Sequence, residues 1–414
     1  MANNSSRSTI PPFTFAGLFF ATMSEMMGMG ILLLILPNLA KSLGASGTVV
    51  GIVFAGFALA RGIFGPVFGR ISDRYGRKKM MLSGLLIYAL LSIGFILFLH
   101  HLIIISVLWF LQGMASAMVT PIAQSYIGDL TPKGKEGRIM NLFYLGQFGG
   151  IAIGPALGGY LVDHFNRTVP FYVMGGAALI GFLLVLIVVP PGVKKQTDPS
   201  KGMQFKKSVF NVFKDQKIKG ILYYIVGRGF YRWGFSTFFP IYAVSQAALS
   251  KEQVGLVISS YMISGAVLQY PFGWVADRFQ RYRSEMVLIG GLIAAATTFF
   301  VPVFTHLSWL IVLVVIMGIF SAASRASSIA IRTDRGRVHG MGGVTGVFMS
   351  GLAMGQVLGP VGFGAITDFF NIEASFYFGA GIGLLTTVLA YWFLRKNNRR
   401  EKRISKKAEL QHSA

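Results

Sequence analysis

The stretch that decides how this chain is built is Gly69-Arg70-Ile71-Ser72-Asp73-Arg74-Tyr75-Gly76-Arg77-Lys78-Lys79. It lies between two long apolar runs, roughly 47–68 and 80–99. Each is about 20 residues, enough for a helix to cross a hydrocarbon core of ~30 Å. A charged turn between two such runs must sit at a membrane surface, and its density of Arg and Lys points to the cytoplasmic one. Composition agrees. Of 414 residues, 53% are apolar, 13% are charged and 36 are phenylalanine, more apolar surface than a soluble core can hide.

Outward from that turn, twelve apolar segments can be counted, at about 14–38, 47–68, 80–99, 102–126, 139–162, 170–190, 220–245, 253–275, 285–304, 308–329, 342–366 and 374–394. The first follows a polar stretch, Met1 to Pro12, with no small-residue cleavage signal, so it reads as a span and not as a removed leader. An even number of spans puts both termini on one side. The loops after even-numbered segments hold most of the cations, as does the tail, while Lys41, Arg167 and Lys251 are the main cations of the others. That bias predicts an N-in, C-in, all-α polytopic membrane protein. It also accounts for the net charge of +23 without a nucleic-acid partner. The chain has no cysteine, which excludes disulfides and thiolate metal sites.

The longest polar stretch, 191–219, carries eight lysines and divides the chain into a six-span half at 1–190 and another at 220–394, with a basic cytoplasmic tail at 395–414. Within it Phe205, Val209, Phe210 and Phe213 recur at helical spacing, which fits either a surface helix on an anionic inner leaflet or a solvated connector. The halves repeat. Gly154-Pro155 returns 205 residues later as Gly359-Pro360, Asp163 as Asp368 and Asp129 as Asp334, while Asp73 returns as Asp277 after 204. Parallel six-helix repeats are a transporter architecture, with the substrate site near the midplane where the repeats meet.

Charges inside spans are costly and therefore candidates for function. Glu25 stands in the first segment and Arg61 in the second. Arg228 and Arg232 share a face of the seventh, and Arg325 lies in the tenth. One reading is a cationic cavity with a single carboxylate, in which burial and a neighbouring cation oppose each other at Glu25, as suits a proton carrier. The other is a structural pair of Glu25 with Arg61 or Arg228, and an Arg325 that snorkels to the surface. Two exposed segment-7 arginines would ask for a substrate with a negative group. In the fifth segment Gly146, Gly150, Gly154 and Gly158 line one face and admit a close helix, beside Gly159, and Pro155 can bend the span. The eleventh repeats this with Gly351, Gly355, Gly359 and Pro360 but breaks the pattern at Phe363, so its packing must differ.

The G-x-x-x-D-R-x-G-R-K spacing of the opening stretch resembles the loop between helices 2 and 3 of the major facilitator superfamily. A partial copy follows at Gly273 to Arg281, where Gln280 replaces a glycine, so the second loop is expected to be looser or differently shaped. G-x-x-x-G-P-x-x-G-G in segment 5 resembles the helix-5 signature of the drug–proton antiporters of that superfamily. The resemblance implies that helices 1, 4, 7 and 10 line a central cavity faced by Glu25, Arg228, Arg232 and Arg325. It implies a cytoplasmic gate of Gly69, Asp73, Arg74, Gly76, Arg77, Asp277 and Arg278. It implies a hinge and seal from Gly150, Gly154, Pro155, Gly158 and Gly159, answered by Gly355, Gly359 and Pro360. Export follows, with Glu25 and Arg61 in proton coupling and a monomeric protein. An arginine that many members carry in helix 4 is absent, its place taken by Trp109. Gln112, Gln124, Tyr144, Tyr231, Trp233 and Phe238 are further candidates for contacts with substrate.

No phosphate-binding G-x-x-x-x-G-K-[ST] occurs, the six histidines lack metal-ligand spacing, and no Ser–His–Asp arrangement is visible. The expectation is a secondary transporter, not an enzyme. It would need no cofactor, use the proton gradient as its energy source and export small amphiphilic molecules from the plasma membrane. A lipid or glycolipid flippase and an organic-anion importer are the alternatives.

Overall fold

The computed structural model describes residues 11–131, 136–191 and 215–412, and among them it is helical with no strand. The helices are α1 (Pro12–Ser42), α2 (Gly47–Tyr75), α3 (Arg77–Leu97), α4 (Leu102–Ala117), α5 (Thr120–Leu130), α6 (Glu136–His164) and α7 (Val169–Val188). They continue as α8 (Gln216–Ser245), α9 (Lys251–Val267), α10 (Gln269–Arg278), α11 (Arg283–Phe300), α12 (Leu307–His339), α13 (Met341–Phe369) and α14 (Ile372–His412). Phe205, Val209, Phe210 and Phe213 of the linker lie outside the described residues.

Eleven of the twelve expected spans are long and apolar enough to cross a bilayer. The twelfth is α8, whose 30 residues reach ~45 Å but include Arg228 and Arg232 in mid-helix. Large apolar side chains point outward, among them Ile103 (80% exposed) and Ile187 (77%). Hydrocarbon solvates such a surface and helices satisfy their own backbone, so the chain is an integral, multi-pass membrane protein.

Two spans read as continuous are broken. The fourth divides between Ala117 and Thr120, and the eighth between Val267 and Gln269. The cause is the same in both. Pro121 and Pro271 lack the N–H that would bond the carbonyl four residues back, and their rings crowd it; those carbonyls belong to Ala117 and Val267, where the helices stop.

The chain forms two compact bodies. The first comprises Met1–Thr197, Ser236–Ile263 and Thr305–Ile311, the second Asp198–Phe235, Ser264–Phe304 and Val312–Ala414. In the first, α1 and α6 meet along the expected glycines. A Cβ on Gly154 would stand 2.5 Å from the Met27 carbonyl oxygen and 2.7 Å from Gly30 Cα. At the end of α6 remote from the Asp73 turn, Gly159 lies against the Lys251 backbone and Gly255 against that of Pro155. There Asp163 accepts the Glu252 backbone N–H at 2.7 Å. Ser250 and Gln253 cap the start of α9 reciprocally, at 3.0 and 3.2 Å.

The second body repeats the seam. Gly150 abuts Met23 and Met27, and Gly355, 205 residues on, abuts Val226 and Phe230, each 203 on. The register departs at the position flagged by sequence. Gly158 faces Ile31 in the first body, whereas Phe363 fills the space over Gly234 in the second, 205 and 203 residues on. Large and small residues have exchanged helices, which conserves volume across the seam.

Gly154→Val should destabilise the fold at the upper end of the ~1–3 kcal/mol typical of overpacking, because the new atoms meet backbone. Gly62→Val, where a Cβ meets nothing within 4 Å, should be near neutral. Thermal unfolding of both variants in detergent checks this.

Candidate functional site

Glu25 sits in the middle of α1 and is 0% exposed. Its two carboxylate oxygens are met by the hydroxyls of Ser116 and Thr120, one on each. Ser116 is in the last turn of α4 and Thr120 opens α5, so the carboxylate bonds to both sides of the break in the fourth span. The Tyr88 hydroxyl, from α3, donates to the Glu25 backbone carbonyl at 3.0 Å. Arg61 is half-buried in the middle of α2. It makes no ion pair with Glu25 within 4.0 Å among the described residues, so the structural-pair reading does not hold at contact distance.

One turn earlier on α4, Gln112 is 0% exposed; its amide nitrogen donates to Met174 Sδ at 3.4 Å and its Oε1 has no partner. Trp109, which stands where family members often have arginine, is 1% exposed and stacks on Phe57 at 4.6 Å. It fills the helix-4 position with packing, not charge. Gln124, on α5, is half-buried, and Tyr144, on α6, is exposed.

In the second body Arg228, 5% exposed, donates through Nε and Nη2 to Ser321 Oγ at 3.3 and 3.1 Å. Arg325 donates to Gln269 Oε1 at 2.5 Å, which ties α12 to α10. It is therefore engaged with a neighbouring helix, and does not snorkel as one reading held. The Tyr224 hydroxyl donates to Ser324 at 2.7 Å. Tyr231 is 1% exposed and packs on Gly383, while Arg232 is half-buried with its guanidinium 6.0 Å from the Trp233 ring. Glu25 and Arg228 are thus both buried, each bonded to a serine of its own body.

The Asp73 turn and its copy at Asp277 are each held by an arginine, on turns of different shape. Arg77, at the start of α3, donates to Asp73 at 3.1 and 3.3 Å, to the Ser125 carbonyl at 2.5 Å, and to Asp129. Gly76 makes the sharp turn before it with φ +108°, a region that favours glycine. Asp73 therefore accepts a guanidinium. Arg74 is exposed, its guanidinium 5.8 Å from the Tyr75 ring. In the second copy Gln280 cannot take the turn that Gly76 makes, and the chain passes through a 3-10 turn at Gln280–Tyr282. After those extra residues, Arg283 takes the place that Arg77 holds in the first copy. It bonds Asp277 at 3.1 Å and Asp334 at 2.6 Å, while Arg278 is exposed. Asp129, Asp334 and Arg283 were not singled out as gate residues; the 205-residue repeat of the two aspartates was the available signal. Asp215 was also missed: it caps α8 through Lys217 N at 2.8 Å and accepts from His339 Nε2 at 2.9 Å. Among the described residues no three His, Cys, Asp or Glu converge as a metal site requires.

A family model, the Major Facilitator Superfamily, matches residues 18–251 and 225–414. The chain belongs to this superfamily. It is a transporter, not an enzyme. Among curated relatives, an uncharacterized MFS-type transporter of Methanocaldococcus jannaschii is 26% identical over 380 residues, covering 90% of this chain and 96% of the relative. The quinolone resistance protein NorA of Staphylococcus aureus is 26% identical over 382 residues, covering 90% and 94%. Among solved structures, a bacterial homolog of the human lysosomal transporter Spinster matches with TM-score 0.76 at 15% identity, covering 95% of this chain and 97% of that one. The human organic anion transporter MFSD10 matches with TM-score 0.64 at 16% identity, covering 92% and 100%. Both share this major facilitator fold.

The two arginine clamps predict an asymmetry between neighbours. Arg77→Gln and Arg283→Gln should each destabilise by about 1 kcal/mol, since each removes a guanidinium that bridges two partly exposed carboxylates. Arg74→Gln and Arg281→Gln, at exposed positions, should stay within about 0.5 kcal/mol. Melting temperatures of the four detergent-purified variants separate the pairs.

Proposed function

We propose that this chain exports small amphiphilic organic molecules across the plasma membrane in exchange for protons. It works by alternating access, with both termini and the Asp73 turn in the cytoplasm, as a monomer without cofactor. Glu25 carries the proton, and Arg61 biases its ionisation from a neighbouring helix. The observation that carries this reading is Glu25 itself, a carboxylate no solvent reaches, whose oxygens rest on neutral hydroxyls and not on a neutralising cation at contact distance. A charge so placed is costly, and a reversible proton is the physical reason to keep it.

Export is supported by the relationship to NorA over nearly the whole chain and by the glycine–proline seam of α6. Arg228 and Arg325, held by Ser321 and Gln269, support a substrate that joins an apolar body to an anionic group. This second point separates the proposal from an exporter of simple lipophilic cations.

Uptake into everted vesicles tests both statements with two probes, norfloxacin, which bears a carboxylate, and ethidium, which bears none. Norfloxacin uptake should require a proton gradient and fall about tenfold or more in Glu25→Gln. Arg228→Met should lower norfloxacin uptake about tenfold, the worth of one charge-assisted hydrogen bond, and ethidium uptake far less. Gradient-driven uptake that survives in Glu25→Gln would overturn the coupling role. Equal loss of both probes in Arg228→Met would overturn the anion role.

A further inference from the structure

The fourth span is broken in one copy of this scaffold and intact in the other, and the difference coincides with Glu25. Ser116 and Thr120 flank the break between α4 and α5 and both bond the carboxylate. In the second copy, 205 residues on, Ser321 replaces Ser116, Arg325 replaces Thr120 and Ala326 replaces Pro121. There α12 runs unbroken from Leu307 to His339. The seam contacts align α1 with α8 at an offset of 203, which sets Arg228 in the place of Glu25, and Arg228 bonds Ser321. The same frame thus holds an anion over a broken helix in one half and a cation over a continuous helix in the other.

We infer that Ser116 and Thr120 are positioning residues for Glu25, and that the charge of Glu25 is expressed as the bend of the fourth span at Met118-Val119. This deepens the proposal above and rests on Glu25 as proton carrier. An ionised carboxylate only accepts hydrogen bonds, so it takes one O–H from each hydroxyl and splints α4 to α5. When a proton adds to one carboxylate oxygen, that oxygen becomes a donor. The hydroxyl facing it must turn from donor to acceptor and give its own hydrogen to a carbonyl of the preceding turn, Gln112 for Ser116 or Ser116 for Thr120. No covalent bond breaks other than that of the arriving proton to its carrier, and the site goes from charge −1 to 0. The two charge-assisted bonds become neutral ones of about half the strength, and the splint loosens. The break makes that loosening count, because Pro121 has no N–H with which to hold the Ala117 carbonyl.

Few other groups can report on this site. Tyr88 meets the Glu25 backbone from α3, and α2 carries Arg61 in mid-helix. Of the remaining neighbours, α7 contains no Asp, Glu, Lys, Arg or His, and those of α5 and α6 lie at the helix ends.

The absence of cysteine lets two introduced ones carry spin labels without background. Val107→Cys on α4 is 51% exposed, and Ser125→Cys on α5 is exposed as well. The distance distribution between them, measured in the full-length protein across a pH titration, should switch between two states with a single-proton midpoint. Glu25→Gln should hold the acid-side distribution at every pH. Thr120→Val and Ser116→Ala should each move the midpoint about one unit toward alkaline pH, the worth of one donor to a charged acceptor, and Thr120→Ser should restore it. A distribution that ignores pH in the parent, or responds to pH in Glu25→Gln, overturns the inference. Norfloxacin uptake separates the two levels. If proton-driven uptake is lost in Glu25→Gln but the distance never moves, only the splint falls. If uptake survives in Glu25→Gln, the proton-carrier reading falls with it.

Discussion

A carboxylate that no water reaches has to be answered by the bundle that buries it. In this transporter the answer to Glu25 is two hydroxyls from a span that has been cut in two. Much of the first body follows from that demand. Pro121 ends α4 at Ala117, and Ser116 and Thr120, on either side of the break, meet the same carboxylate. Tyr88 pins the backbone of α1 at the same level through the Glu25 carbonyl. On the other side of α1, glycines at 150 and 154 let α6 approach so closely that α1 has no room to slide away. Loss of either hydroxyl leaves the carboxylate one partner short in a low-dielectric interior, a costly error in a membrane bundle.

The two halves show what is scaffold and what is chemistry. The glycine seam is scaffold: it recurs at 203 and 205 residues, and where one helix gained Phe363 the other lost bulk at Gly234. The arginine clamp on two aspartates is also scaffold, since Arg77 and Arg283 do the same work on turns of different shape. The buried charge is not. Glu25 and Arg228 occupy equivalent places with opposite sign, each bonded to the equivalent serine. One frame recurs in both halves, and the exchanges Glu25/Arg228, Thr120/Arg325 and Pro121/Ala326 make them chemically different.

The membrane spans could be read from the chain because apolar length and Arg/Lys bias are local properties. The candidate site was legible in part. Glu25 stood out as a lone carboxylate in a span, and the glycines of α6 carried their spacing with them. Its partners did not stand out, since serine and threonine are common in spans and only packing selects which of them meet a charge. Pro121 was the one local clue to the break, and it reads as an ordinary kink until Glu25 is known to lie opposite. Arg283 was missed for a different reason. Gln280 cannot make the turn of Gly76, so the loop takes extra residues and the matching arginine shifts by two places, from the fourth residue after Asp73 to the sixth after Asp277. Asp215 lies next to a long polar linker, where a capping carboxylate looks like any other loop charge.

Proton-coupled export by this chain requires that Glu25 gain and lose a proton inside the folded transporter. Infrared difference spectroscopy of the purified protein across a pH titration observes that event through the carbonyl stretch of a protonated carboxylic acid. One such band should grow as pH falls, shift in frequency when Thr120 is replaced by Val, and be missing in Glu25→Gln. A spectrum with no titrating band assignable to Glu25, or one unchanged by Glu25→Gln, would contradict that requirement.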